Sequence, residues 1–179
     1  MSLDEAVAMV PDGCAVATGG VLLIRKPVAL LDAIGRAGRR DLTLWTVIGS
    51  MDAEVLAAHG AMSASNAIYV GFEQHGLAPA FDAAVARGEV EATDWSEFLL
   101  MAGLRASVAG LPFLPTRGGR GSDVAAALGL AEVDCPYTGE RLVAVPAIRP
   151  DVALLHVEVA DELGNVPVPR HPHFLFDAD

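Results

Sequence analysis

The chain has 179 residues, 12 Lys and Arg against 23 Asp and Glu, 53% apolar residues and a formal net charge of −11. At that length one domain is expected, burying roughly 70% of the extended-chain surface, enough for a core without disulfides or metals. The acidic balance argues against a nucleic-acid partner, because phosphate binding requires a basic field, and no apolar stretch approaches the ~20 residues of a membrane span.

In chain order, the opening MSLDEAVAMV carries acidic residues where a secretory leader carries basic ones, so no signal peptide is expected and a cytoplasmic compartment is. A helix is predicted over 3–10, then a buried strand over 14–18 closed by Gly19-Gly20. A second helix runs from about Pro27, suited to a first turn, to Arg36, with Gly38 as its stop. Leu-Thr-Leu-Trp-Thr-Val-Ile at 42–48 reads as a strand. A helix follows over 51–59 with Gly60 beyond it, then a strand over 67–70, a helix over 77–87 and a short strand over 90–93. The strongest helical pattern spans 96–109, placing Leu100, Leu104, Val108 and Leu111 on one face. Two later strands are expected at 143–146 and 152–157, and the proline-rich stretch from Val166 should be irregular. Strand and crossover helix repeated in this way predict an α/β fold: an open, mostly parallel sheet with helices on both faces. Ligands of such sheets bind beyond the carboxyl ends of the strands, which directs attention to three loops.

The first loop is Thr18-Gly19-Gly20 with Arg25-Lys26 before Pro27. Two glycines let backbone N–H groups approach a ligand, with cationic side chains nearby; a tight strand-to-helix turn explains them equally. The second is Asp94-Trp95-Ser96-Glu97. Asp94 and Glu97 have capping-box spacing, and Glu97 alternatively serves as a nucleophile or general base at the sheet end. The third is Pro115-Thr116-Arg117-Gly118-Gly119-Arg120-Gly121-Ser122-Asp123, a flexible cationic loop in an acidic chain. Ser122 or Asp123 can cap a short helix over 124–128, and its amides with two guanidinium groups suit a carboxylate or phosphate; the alternative is a surface loop with solvated arginines.

Cys14 and Cys135, 121 positions apart in apolar contexts, read as small core residues rather than a disulfide framework. His171-Pro-His173 lacks the further ligands of a metal site, so no metal is expected. His156 reads as a core histidine in a strand, and His75, after a strand, faces the same rim as the loops.

Taken in order, Gly19-Gly20 with Pro27, Tyr69-Val-Gly-Phe-Glu73, Gly110-Leu-Pro-Phe-Leu-Pro115, Gly121-Ser-Asp-Val124, Val145-Pro-Ala-Ile148, Asp151-Val-Ala-Leu-Leu-His156 and Ala160-Asp-Glu-Leu-Gly-Asn165 resemble the alpha subunit of two-subunit class I CoA-transferases, of the glutaconate type. The resemblance covers nearly the whole chain and implies a CoA-transferase-like sheet. It implies a partner beta subunit, in a heterodimer or heterotetramer, whose glutamate attacks the acyl-CoA thioester to give an anhydride and then a glutamyl-CoA thioester. This chain would line the acyl and CoA pocket through Gly19, Gly20, Arg25, Lys26, Glu73, Ser96, Arg117, Gly118, Gly119, Arg120, Gly121, Ser122 and Asp123. Coenzyme A then enters as substrate, with no separate cofactor. Arg25-Lys26-Pro27 and Glu97 are also similar to the alpha subunit of the cholesterol ring-cleaving hydrolase, which implies Glu97 as the base activating water on a cyclic ketone CoA thioester. The glutaconate type tends to carry Ser-Asn at positions 96 and 97, so Glu97 departs from it. The end at Asp179 is short of the family's usual final strand and helix. A third reading is a non-catalytic module binding acyl-CoA or a sugar phosphate on the same fold.

Overall fold

A parallel sheet forms around the apolar runs Ala15–Thr18, Leu42–Thr46 and Val152–Leu154, two from the start of the chain and one from near its end. Its strands are β1 (Ala15–Thr18), β2 (Leu42–Thr46), β4 (Met62–Ala67), β6 (Glu91–Asp94) and β10 (Val152–Leu154), in the order β10-β1-β2-β4-β6. Val16 sits opposite Leu44 on one side and Val152 on the other, with parallel pairing at both seams. The small parallel pair β3 (Ile48–Gly49) and β5 (Tyr69–Val70) forms a separate ladder. The computed structural model describes residues 1–167. Its internal contacts define two units, one of Met1–Thr93 with the chain from Pro150 onward, the other of Asp94–Arg149.

In the first unit α1 (Leu3–Ala8) precedes the first strand, and the crossover helices are α2 (Val28–Arg36), α3 (Met51–Ala58) and α4 (Pro79–Ala86). Val16, Leu42, Leu44 and Leu154 share one core with Leu31 and Ile34 of α2, Leu56 of α3 and Phe81 of α4. Burial alternates along β1 and β2: Val16, Thr18, Leu42, Leu44 and Thr46 are buried, while Ala15, Ala17, Thr43 and Trp45 are half-buried. The unbroken apolar composition predicts continuous burial instead; the small side chains Ala15 and Ala17 are apolar without being fully enclosed. Helix ends are closed locally and at long range. Ser2 and Glu5 form a capping box on α1, while the Glu54 carboxylate of α3 accepts the α4 amides of Ala80 and Phe81 at 3.0 and 3.2 Å.

The second unit departs from the expected parallel repeat. β7 (Phe113–Thr116), β8 (Ala131–Asp134) and β9 (Arg141–Pro146) pair antiparallel in the order β7-β9-β8, beside α5 (Glu97–Val108) and the short α6 (Asp123–Ala127). β7 and β8 are not legible as strands in the sequence: one holds a proline and the other two acids, and both are largely exposed. The core here is Leu99 and Ala102 of α5 against Val143 and Val145 of β9. The buried residues of α5 are Leu99, Leu100, Met101, Ala102, Gly103 and Ala106; Val108 and Leu111, expected on the buried face, are exposed. Gly103 is required where the chain leaving β9 crosses the helix. A Cβ there would lie 3.1 Å from the Pro146 carbonyl and closer still to Ile148, whose amide donates to the Gly103 carbonyl. The strand expected over 67–70 falls on the short β5 and meets β4 only at Ala67; β4 itself is not legible in the sequence, because its Met-Ser-Ala-Ser-Asn-Ala run carries little strand signal.

Candidate functional site

In the first unit, the chemistry gathers at the carboxyl ends of β1 and β2. Asp52, in the first turn of α3, is fully buried, and its Oδ2 accepts from Thr18 Oγ1 at 2.6 Å, Lys26 Nζ at 2.7 Å and Thr46 Oγ1 at 2.9 Å. Its Oδ1 accepts the Ser50 and Ala53 amides at 2.7 and 3.1 Å. Lys26 Nζ also donates to Thr46 Oγ1 at 2.9 Å. Burial by itself raises the Asp52 carboxyl, but the Lys26 charge and the convergent donors outweigh it and hold the group below its ordinary value. Burial likewise pulls the Lys26 ammonium down, opposed by Asp52. The sequence suggests Lys26 as a cation beside the glycine loop; at 3% exposure its charge is instead engaged internally with Asp52.

Gly19 and Gly20 serve close packing and a tight turn. The Gly19 amide donates to the Leu154 carbonyl, and a Cβ on Gly19 would lie 2.7 Å from Leu155. Gly20 has φ +78°, and a Cβ there would sit 2.5 Å from the Arg25 carbonyl. The loop folds back through mutual hydrogen bonds between Val21 and Ile24, with Leu22 and Arg25 both left-handed at φ +52° and +56°. Residues other than glycine seldom occupy that region and are held there by their surroundings. The Ser50 hydroxyl donates to the Leu22 carbonyl. Glu73, also left-handed at φ +49°, is exposed in a single 3-10 turn, Glu73–His75, with its amide donating to Tyr69 Oη at 3.4 Å. His75 lies in the same exposed turn. His156 is exposed beyond β10 rather than within a strand, and its Nδ1 meets the Lys26 carbonyl at 3.3 Å.

In the second unit the structure brings the second and third loops together. Ser96, not Asp94, is the N-cap of α5, its hydroxyl accepting the Leu99 amide at 3.4 Å. Glu97 is the first helical residue, so the expected Asp94–Glu97 capping box does not form and the Glu97 carboxylate takes no part in the cap. Gly118 and Gly119 pack directly on this turn: a Cβ on Gly118 would lie 2.8 Å from Phe98 Cβ, and one on Gly119, at φ +79°, 2.9 Å from Leu99 Cδ1. The glycines are what allow the cationic loop to approach the start of α5.

The two loop arginines share one carboxylate. Arg117 grips Glu140 in a forked pair, Nε to Oε1 at 2.8 Å and Nη2 to Oε2 at 2.6 Å, and Arg120 Nη1 stands 3.5 Å from Oε1 while donating to the Arg141 carbonyl. The hydrogen bond to Arg117 holds Glu140 below its ordinary range. The loop's amides are largely engaged within it: Gly118 donates to Thr116 Oγ1, Arg120 to the Arg117 carbonyl and Ser122 to the Gly119 carbonyl. Ser122 occupies the N-cap position of α6, yet its hydroxyl donates to the Gly119 carbonyl at 2.7 Å instead of capping; Asp123 begins the helix and Gly121 is left-handed at φ +72°. Cys14 is buried as expected, whereas Cys135 is partly exposed in the turn after β8, its thiol lowered by the Thr138 hydroxyl. His171 and His173 lie outside the described residues. The residues that sequence reasoning missed are Asp52, Thr46 and Ser50, while Thr18 enters it only as the start of the first loop. Each is ordinary in its own segment, and only Lys26, the chain's single lysine, signals the network by its apolar context.

The same chain has recognisable relatives. The family model of coenzyme A transferases matches residues 1–171. A cholesterol ring-cleaving hydrolase IpdA subunit from Rhodococcus jostii is 37% identical over 176 residues, covering 92% of this chain and 58% of that protein. A glutaconate CoA-transferase subunit of Acidaminococcus fermentans is 28% identical over 94% of this chain and 58% of its own length, and the crystal structure of that enzyme superposes with a TM-score of 0.83. The crystal structure of a variant of the decarboxylase AibA/AibB superposes with a TM-score of 0.88 at 36% identity, over 94% of this chain and 65% of that one. The chain thus spans rather more than half the length of these curated relatives. Among the described residues no helix is long and apolar enough to cross a membrane.

Proposed function

The chain belongs to the coenzyme A transferase family, and from that premise we propose that it is the alpha-type subunit of a heteromeric enzyme acting on an acyl-CoA thioester. In this reading it moves CoA between an acyl-CoA and a carboxylic acid, with the nucleophilic glutamate contributed by a beta-type subunit. This chain supplies Glu97 and the cationic glycine loop. The observation that carries the proposal is the packing of Gly118 and Gly119 on Phe98 and Leu99, which sets the loop bearing Arg117 and Arg120 against the helix start that holds a carboxylate free of any capping role. A guanidinium pair of which one member is only loosely held by Glu140 suits the anionic parts of a CoA thioester.

Glu97 itself favours a second reading. A carboxylate at this position, together with the likeness to the Rhodococcus jostii hydrolase subunit, supports ring opening of a cyclic ketone CoA thioester. Glu97 would take a proton from water as the water oxygen attacks one ring carbonyl. The adjacent ring C–C bond then breaks with its electron pair leaving as the enolate of the other ketone, which takes back a proton while the attacked carbon ends as a carboxylate. Co-expression with a beta-type subunit of the same family, followed by assay with an acyl-CoA and free acids, tests the transferase. Opening of a cyclic β-diketone CoA thioester without CoA exchange establishes the hydrolase instead. Turnover of neither by an intact heteromer overturns both readings and leaves a binding module.

A further inference from the structure

Three side-chain attachments of the Gly20–Arg25 loop lead to one carboxylate. At the start of the loop, Thr18 donates to Asp52 Oδ2 at 2.6 Å. At its end, Lys26 donates to the same oxygen at 2.7 Å. In its middle, the Leu22 carbonyl accepts from the Ser50 hydroxyl, and the Ser50 amide donates to Asp52 Oδ1 at 2.7 Å. Thr18, Lys26, Ser50 and Asp52 are all buried. Between those attachments the backbone turns left-handed at Gly20, Leu22 and Arg25.

A core that needed only stability would do as well with apolar side chains here, because a buried ion pair is generally no more stabilising than apolar residues of equal volume. What such a pair provides is a fixed position for the groups it joins. We infer that Asp52 is a positioning residue that anchors the Gly20–Arg25 loop at its start, middle and end, so that a preformed backbone edge bearing Arg25 is presented to the acyl-CoA. The ligand named in that statement rests on the proposed function; the anchoring does not. The loop sits at the carboxyl end of β1, where ligands of parallel sheets bind, and a loop held in a strained conformation before binding has less ordering left to undergo with the ligand. Asp52 touches no reacting atom in this scheme. It acts through Ser50 and Lys26.

Two variants of the full chain separate anchoring from folding. Ser50→Ala removes only the middle attachment and leaves the backbone amide on Asp52. The pair Lys26→Met with Asp52→Leu replaces the ions by apolar side chains of similar size. Hydrogen exchange is read at the Val21 and Ile24 amides, which bond to each other's carbonyls across the loop, and thermal unfolding is measured in parallel. The expected result is exchange at those two amides accelerated about fivefold to tenfold in Ser50→Ala, and more in the double variant, with exchange across β2 unchanged. In the co-expressed heteromer the same variants should raise KM for the acyl-CoA about fivefold with kcat unchanged. Unaltered exchange at Val21 and Ile24 in both variants overturns the anchoring. Accelerated exchange in a heteromer that turns over no acyl-CoA supports the anchoring and overturns the functional reading instead.

Discussion

Lys26 and Asp52 meet at 2.7 Å with neither side chain more than 1% exposed, so the chain's one lysine is hidden from solvent. The contact joins the end of the first glycine loop to the first turn of α3, and the neighbouring hydroxyls of Thr18 and Thr46 complete the side-chain donors around the carboxylate.

Chemical labelling follows directly from that burial. In the native protein, an amine-reactive ester should leave the Lys26 peptide unmodified, and modification should become complete in urea. Peptide mass spectrometry reads the difference. Fast labelling of Lys26 in the folded chain contradicts its enclosure.

Breaking the pair one-sidedly should be worse than removing both members. Lys26→Met leaves a buried carboxylate without its countercharge and is expected to cost about 3–5 kcal/mol. Adding Asp52→Leu removes that charge but leaves the Thr18, Thr46 and Ser50 donors without this acceptor, so it should recover only part of the loss. Urea titration of the three proteins checks the order. The acid limb provides a second measurement. Asp52 is held below its ordinary value near 3.8. A carboxylate with a depressed folded pKa contributes stability that is complete above the unfolded value and lost as pH falls through the folded one. The wild-type chain should therefore lose stability below about pH 4 with a component that the double variant lacks. The other depressed carboxylates, Asp32, Glu89 and Glu140 among them, remain in both.

Ser96 and Glu97 are adjacent and should respond oppositely to substitution. Ser96→Ala removes the α5 cap and should cost about 1 kcal/mol. Glu97→Gln removes no cap bond, and its effect on stability should stay within about 0.5 kcal/mol. In the assembled enzyme that variant should lose on the order of 10²–10⁴ in rate if Glu97 handles a proton. Thermal melts and turnover, measured side by side, test the division; a Glu97→Gln enzyme of full activity removes Glu97 from the chemistry.

The approach of the cationic loop to α5 depends on Gly119. An alanine there needs a left-handed backbone and places its Cβ 2.9 Å from Leu99 Cδ1. Gly119→Ala should cost about 1–3 kcal/mol, read by denaturant unfolding. Gly121→Ala is also left-handed but meets nothing within 4 Å, so it should cost less. Equal losses at the two positions would mean that backbone conformation, not the contact with Leu99, sets the requirement.

The sequence by itself determined the parallel sheet of the first unit. Its strands β1, β2 and β10 are short apolar runs, its helices carry amphipathic spacing, and glycines close the turns between them, all of which are local signals, whereas the polar β4 and β6 carry little of it. It also located the loops that crowd the strand ends and the start of α5, because residues such as Gly118 and Glu97 announce themselves by type and neighbourhood. Tertiary structure alone decided what each polar group does. Lys26 has the look of a free cation until Asp52, 26 positions on, is folded against it. The paired look of Asp94 and Glu97 dissolves once Ser96 takes the cap, and the charge on Arg117 is met by Glu140 from another hairpin. β7 and β8 stay hidden for the same reason. Most of their residues are polar or exposed, and the ladder to β9 makes them strands. Local propensity reports which backbone shapes are cheap; the partner of a charge or of a strand edge is set by chain segments far away in sequence.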